Sequence, residues 1–323
     1  APAMTAAADI RPAPEGAAGG PPAISVIVPH LNQHAELARC LAALAAQTGR
    51  YALREVIVVD NGSDRSPEPV VLRFPGVRLL TEREAGPGPA RNLGAKAATG
   101  EILAFVDADC TARADWLAAI TAAHARAGGR AILGGDVRVP VAGRRRTMLE
   151  AYEAVYHYRM KTYLARDGFT GTGNLAVPRE IFRAVGPFAG IDVAEDVEWC
   201  RRATAAGHPI RHVPEMVVYH PARRSFAGLA AKWDRHLAHQ RAAHRAAGRG
   251  PLAWSAKAIA IALSPPLEVP RILLCGRIDT PRDRLLAFAC LVRVRLYRAR
   301  RMLALAAGAG PTAGPWNRDA DGA

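Results

Sequence analysis

A chain of 323 residues, half of them hydrophobic and 22% charged, is long enough to bury a full core and too apolar for an intrinsically disordered protein. Its five cysteines (Cys40, Cys110, Cys200, Cys275 and Cys290) are scattered with no Cys-x-x-Cys pair, which argues against a disulfide framework or a zinc site and fits buried thiols in a reducing compartment. The net charge of +14 is uneven: residues 1–200 balance, whereas residues 201–305 hold 20 basic and 5 acidic side chains. That asymmetry points to an anionic partner, whether nucleic acid, membrane surface or substrate.

In chain order, residues 1–22 are rich in Ala, Pro and Gly and lack the basic start and apolar core of a signal peptide, so they read as a disordered lead-in. Ala1-Pro2-Ala3 before Met4 reads as a cloning remnant. From Ile24 onward, strand-like runs alternate with helical patterns. Strands are expected at 24–28, 55–59, 77–80 and 101–106, and helices at 34–47, 89–98 and 113–127. This β-α-β alternation predicts a parallel, doubly wound sheet whose strand ends gather Asn32, Asp60 and Asp107 along one edge. The second half is mixed. Strands are expected at 131–139, 169–177, 210–213 and 216–219, and helices at 147–165 and 195–206. Helices follow at 225–247, 252–263, 267–276 and 282–304, and 306–323 reads as a flexible tail.

The apolar stretch 252–276 is interrupted by Lys257, Pro265-Pro266, Glu268 and Arg271, too broken for a spanning helix. Segment 282–304 sets Leu285, Leu286, Phe288, Leu291, Val292 and Leu296 beside Arg293, Arg295, Arg298, Arg300 and Arg301. Such a helix either lies in a membrane interface or packs on the domain with a solvated arginine face.

The richest chemical signal is Gly100–Asp109, an apolar strand that ends in Asp107-Ala108-Asp109. Ligands of open α/β sheets bind beyond such strand ends, and oxygen donors there suit Mg²⁺ or Mn²⁺. An acidic pair at a strand end is also an ordinary loop feature. His220, at the end of a late strand, is either a second ligand or a structural histidine. Glu195-Asp196 opens a helix, where carboxylates either complement the dipole or, in Asp196, take a proton from an attacking hydroxyl. Gly86-Pro87-Gly88-Pro89-Ala90-Arg91-Asn92 lacks the Lys-Ser/Thr of a P-loop and is not in the first β-α turn, so neither phosphate fingerprint applies. Arg91 either reaches a base or phosphate or lies in solvent.

The ordered set decides between these readings. Val28-Pro29-His30-Leu31-Asn32, Val59-Asp60-Asn61-Gly62-Ser63, Gly88–Gly94, Phe105–Asp109, Gly171–Ala176, Glu195–Glu198 and Val213–His220 succeed one another in one chain. Together they resemble the family 2 glycosyltransferases of the GT-A fold, over about residues 24–220. The resemblance implies a Rossmann-like mixed α/β sheet with flanking helices at 23–222, followed by a basic helical C-terminal extension at 223–305. It implies inverting transfer from a nucleotide-diphosphate sugar, with a UDP-sugar as first choice, and a divalent cation, Mn²⁺ or Mg²⁺. Pro29, Asn32, Asp60, Arg91, Asp107 and Ala108 would bind the nucleotide sugar. Gly173, Asn174, Glu195 and Trp199 would border the sugar and acceptor, Asp196 would be the catalytic base, and Asp109 and His220 would hold the metal.

His30 departs from the usual small or aromatic residue after the proline, and no Gln-x-x-Arg-Trp follows Glu195-Asp196, which favours single-sugar transfer over processive synthesis. The acceptor would be a saccharide or a polyprenyl-diphosphate-linked one in cell-surface polysaccharide synthesis. The enzyme would be cytoplasmic or peripheral on the inner face of the plasma membrane, meeting an anionic surface through its C-terminal basic helices. A sugar-nucleotide-forming nucleotidyltransferase would carry a Gly-rich basic loop after the first strand, where Pro29-His30-Leu31-Asn32 stands. A nucleic-acid-binding protein is suggested only by the pI of about 10.3, without an aromatic stacking platform or zinc-finger spacing.

Overall fold

The computed structural model describes Ile10, residues 20–191 and residues 193–308. Nearly all of the expected lead-in 1–22 and most of the expected tail 306–323 lie outside the described residues. The chain forms two compact units. One comprises the residues up to Arg138 together with Arg159–His220; the other comprises Val139–Tyr158 and the residues from Pro221 onward.

The first unit is built on one eight-stranded sheet. Its strands are β1 (Ala23–His30), β2 (Ala52–Asp60), β3 (Val77–Thr81), β4 (Ile102–Val106), β5 (Thr111–Ala112), β6 (Ile132–Arg138), β7 (Asn174–Pro178) and β8 (Ile210–Tyr219). They lie in the order β3-β2-β1-β4-β7-β6-β8-β5. β3, β2, β1 and β4 are mutually parallel, which is the half the β-α-β alternation predicts. β7 enters antiparallel between β4 and β6, and β8 runs parallel to β6, so the whole sheet is mixed. The consequence is geometric: the ends of β1, β2, β4 and β8 and the beginning of β7 share one edge. Register pairs His30 with Asp60, Val106 with Asn174 and Thr111 with Tyr219 there.

The core explains why these runs become strands. Every residue of β4 is buried, as are Val56–Asp60 of β2 and Ile24–Val28 of β1, the continuous apolar pattern of strands covered on both faces. The helices of this unit begin with α1 (His34–Ala45), α2 (Glu68–Val71), α3 (Pro87–Ala97) and α4 (Trp116–Arg126). α3 approaches β1 closely enough that a Cβ on Gly94 would stand 2.5 Å from Ile27 Cγ2, so glycine lets helix and sheet meet. After α5 (Met148–Tyr156), which belongs to the second unit, come α6 (Met160–Asp167), α7 (Arg179–Val185) and α8 (Glu195–Ala205). Phe105 of β4 packs against Phe182 and Phe188 at ring separations of 5.8 and 5.4 Å, and Trp199 of α8 closes the cluster. Truncating Phe105 to alanine would cost about 3–5 kcal/mol.

Several elements differ from the sequence reading. The helix expected at 147–165 is two helices, broken where Tyr158 adopts φ 51°, outside helical geometry. The break coincides with the passage from one unit to the other. The strand expected at 169–177 is confined to Asn174–Pro178. The two short strands around Pro214 are one, β8, whose register slips opposite Gly135-Asp136 and so absorbs the proline.

In the second unit, α5 starts with a capping box between Thr147 and Glu150. It is joined by α9 (Phe226–Ala246), α10 (Pro251–Leu263), a 3-10 turn at Pro265–Glu268, α11 (Val269–Leu273) and α12 (Pro281–Ala306). α12 buries Ala287, Cys290, Leu291 and Val294 against Ala151, Tyr152, Val155 and Leu229. Of the apolar residues expected on this helix, Leu291 is buried, Leu286, Phe288 and Val292 are half-buried, and Leu285 and Leu296 are exposed. No described helix is long and apolar enough to cross a membrane.

Candidate active site

Strand direction brings the sequence-distant candidates together at the shared sheet edge. Asp107 and Asp109 follow β4, Gly173 precedes β7, and His220 follows β8. One ligand atom each from Asp107, Asp109 and Cys110 lie within 4.8 Å of one another. His220 Nε2 stands 3.2 Å from Asp109 Oδ2. Asp109 Oδ1 is buried with no hydrogen-bond partner among the described residues. A buried carboxylate oxygen left unpaired is costly, and a cation would satisfy it. Burial pushes the Asp109 carboxyl up, but the hydrogen bond and charge of His220 outweigh it and hold the group below its ordinary value. Burial, with the nearby Asp109 and Asp107 charges, pushes the Cys110 thiol well up, so it stays protonated. The charged donor set is thus oxygen-rich, with one imidazole close by, and fits a hard divalent ion such as Mg²⁺ or Mn²⁺.

Arg91 lies deeper than either sequence alternative placed it. It is 3% exposed and forks between Asp107 Oδ1 at 2.6 Å and Glu195 Oε1 at 3.0 Å. Burial opposes the guanidinium charge, but the two carboxylates more than restore it. The next residue, Asn92, exchanges two hydrogen bonds with the Phe188 backbone, donating at 2.9 Å and accepting at 2.8 Å. The start of α3 thereby ties both the end of β4 and the chain leading into α8. Gly173 is required by the same crowding: a Cβ there would stand 2.3 Å from Asp107 Oδ2.

Asp196 is half-buried in the first turn of α8, accepting a 2.8 Å hydrogen bond from the Val197 amide. Burial, reinforced by the Glu195 charge, raises its pKa above the usual carboxylate value. That is the direction that makes a carboxylate a better proton acceptor.

At the other end of the edge, Asp60 accepts hydrogen bonds from Ser63 Oγ at 2.5 Å and the Ser63 amide at 3.3 Å. His30 is the partner that sequence reasoning missed. Its Nε2 accepts from the Gln33 amide at 3.2 Å, which leaves the proton on Nδ1 to be donated to Asp60 Oδ1 at 3.0 Å. Burial lowers the His30 pKa against the pull of Asp60, so the ring is held neutral at physiological pH. The signal was its place one residue beyond Pro29, opposite Asp60. Pro29 is half-buried and Ala108 buried. Asn32 is exposed at φ 57°, with its side-chain amide bonded to Asp64 at 3.1 Å and 2.9 Å.

Two expected pocket residues have their polar atoms committed within the protein. Asn174 is 1% exposed, and its amide is wholly committed to Trp116 Nε1, the Asp136 carbonyl and the Met216 carbonyl at 2.8–2.9 Å. It braces β7 against β6 and β8. Trp199 is 0% exposed, with Nε1 donating to the Gly186 carbonyl at 2.9 Å, so any influence on a sugar pocket passes through packing.

A mixed sheet of this order with flanking helices is the fold shared with solved glycosyltransferases of the GT-A class. The description Glycosyl transferase family 2 matches residues 25–190. Glycosyltransferase AglE of Haloferax volcanii is 32% identical over 62% of this chain and 68% of its own length. The chain belongs to glycosyl transferase family 2 and is a glycosyltransferase. Two solved structures share the fold. The mannosyltransferase PcManGT from Pyrobaculum calidifontis, in complex with GDP-Man and Mn²⁺, has a TM-score of 0.51 at 20% identity, covering 93% of this chain and 78% of that one. S. aureus TarS 1-349, in complex with UDP-GlcNAc, has a TM-score of 0.50 at 18% identity, covering 89% and 76%.

Proposed function

We propose that this chain moves one sugar from a nucleotide-diphosphate sugar, a UDP-sugar as first choice, to a hydroxyl of a saccharide or polyprenyl-diphosphate-linked acceptor, with inversion at the anomeric carbon. The observation that carries the reading is the buried, unpartnered Asp109 Oδ1 beside Asp107 and His220. Asp109 and His220 would hold a divalent cation, with Asp107 beside them. That cation would supply positive charge to the departing diphosphate. Asp60, oriented by His30, would accept a hydrogen bond from the base, and Pro29 and Asn32 would line the same side. Arg91 would act through Asp107 and Glu195, keeping both carboxylates in place.

Asp196 would accept the proton of the acceptor hydroxyl as its oxygen attacks the anomeric carbon. The bond from that carbon to the diphosphate oxygen breaks in the same step, and its electron pair leaves on the nucleotide diphosphate. The solved structures holding GDP-Man with Mn²⁺ and UDP-GlcNAc support this reading at the level of the fold. The experiment is a screen of UDP-, GDP- and dTDP-sugars for nucleotide release with Mn²⁺ or Mg²⁺. Metal-dependent release from one donor is the expected result. Absence of release and of binding across the panel would count against the proposal.

A further inference from the structure

The second unit carries an apolar surface that its own core leaves uncovered. α10 is apolar on both sides. Trp254 and Ala258 are fully buried, packed with Met302 and Ala299 of α12, and Trp254 Nε1 donates to the Met302 carbonyl at 3.0 Å. The opposite face repeats at helical spacing through Leu252, Ala256, Ile259 and Leu263 and is exposed, Leu252 by 85% and Leu263 by 72%. Exposure continues into the 3-10 turn and the end of α11, with Leu267 at 83% and Leu274 at 85%. Half of the exposed large hydrophobic side chains among the described residues fall within residues 252–274. Such a concentration marks an interaction surface, whereas scattered single residues do not.

We infer that this face of α10, the 3-10 turn and α11 docks on an anionic lipid surface. Charge selects the occupant. Between residues 247 and 280 the basic residues are Arg249, Lys257, Arg271 and Arg277, and the acids are Glu268 and Asp279. Glu268 is itself neutralised by Arg271 at 2.6 Å and Arg295 at 3.0 Å. A second copy of the chain would set this basic rim against its like, whereas anionic headgroups complement it. Aromatic and methionine anchors that dominate protein–protein contacts are absent from the patch, which exposes Leu, Ile and Val. Basic charge around an aliphatic face is the pattern of an interfacial helix. α12, whose sequence advertised that pattern more loudly, buries Ala287, Cys290, Leu291 and Val294 in the core and exposes Leu285, Leu296 and Leu303 only at wide spacing. The inference rests on the proposed function only in giving a lipid-linked acceptor a reason for the surface.

Co-sedimentation of the full chain with phosphatidylcholine vesicles, with and without phosphatidylglycerol, tests it. Binding should require phosphatidylglycerol and weaken with added salt. The paired changes Leu263→Glu with Leu267→Glu should reduce the bound fraction on the order of tenfold or more. Leu72→Glu, equally exposed in the first unit, should leave it unchanged. Light scattering without lipid, before and after the paired changes, reads the rival occupant. No preference for anionic vesicles, wild-type sedimentation by the paired variant, or a dimer that those changes dissociate would each overturn the inference. Metal-dependent nucleotide release from a soluble assay should be the same in wild type and paired variant. If wild type shows none, the functional reading fails while the vesicle result still stands.

Discussion

Replacing Arg91 with methionine keeps the length of the side chain and removes its charge from between Asp107 and Glu195. Two charge-assisted hydrogen bonds are lost, at 2.6 and 3.0 Å. Each is worth about 1.5–3 kcal/mol when fully buried. The side chains of Asp107 and Glu195 keep 34% and 21% of their surface in water, and losing the buried guanidinium also relieves its own desolvation. A net cost of about 2 kcal/mol follows, a fall of about 4–8 °C in Tm for a domain of this size. Thermal unfolding followed by near-ultraviolet circular dichroism measures it. A double-mutant cycle with Glu195→Gln should show coupling of about 1–2 kcal/mol. Nucleotide release should fall at least about tenfold, because Asp107 and the entry to α8 lose their common brace. An Arg91→Met protein that melts within about a degree of wild type and turns over at the same rate would refute the reasoning.

Other consequences concern separate parts of the molecule. Asp196→Asn should lower sugar transfer by roughly 10²–10⁴-fold while nucleotide binding, read by calorimetry, is unchanged. Because the raised Asp196 pKa belongs to a group that must be ionised to act, the transfer rate should fall as pH drops through a midpoint above the ordinary carboxylate value. Glu195→Gln, which removes the second of the causes that raise it, should move that midpoint down. Gly173→Ala drives a Cβ into Asp107 Oδ2 and should weaken metal-dependent nucleotide binding at a stability cost of about 1–3 kcal/mol. In the second unit, burial would raise the Glu153 carboxyl, but His157 and Arg223 hold it at about 2. The stability it contributes is therefore present above the ordinary glutamate pKa and lost as pH falls towards 2, about 3 kcal/mol in all. Glu153→Gln should remove that acid-dependent component from the denaturation profile, and a curve of unchanged shape would contradict the assignment.

The parallel half of the sheet was legible because its strands are short, mainly apolar runs with a stop signal: Pro29 and His30 closing β1, Asp60 ending β2, Asp107 after β4. The direction of β7 was not. All five of its residues are buried, so its sequence has no alternation to report which neighbour it pairs with, or how. The break between α5 and α6 carries no Pro or Gly, only a tyrosine at positive φ, which local propensity opposes. The chemical residues were found as types at strand ends, but their partners were not. Arg91 reaches 16 residues to Asp107 and 104 to Glu195, and no periodicity links such positions. Trp199, which the resemblance set beside the sugar and acceptor, is turned by helix geometry into the aromatic core.

Calorimetric titration of UDP into wild type and Asp109→Asn, each with and without Mn²⁺, tests the central claim most directly. Wild type should bind UDP more tightly with Mn²⁺ by about tenfold or more, a difference of at least about 1.4 kcal/mol, and Asp109→Asn should lose that increment while its fold is retained. Equal Mn²⁺ enhancement in both proteins would contradict the assignment of Asp109 as the ligand around which the site is built.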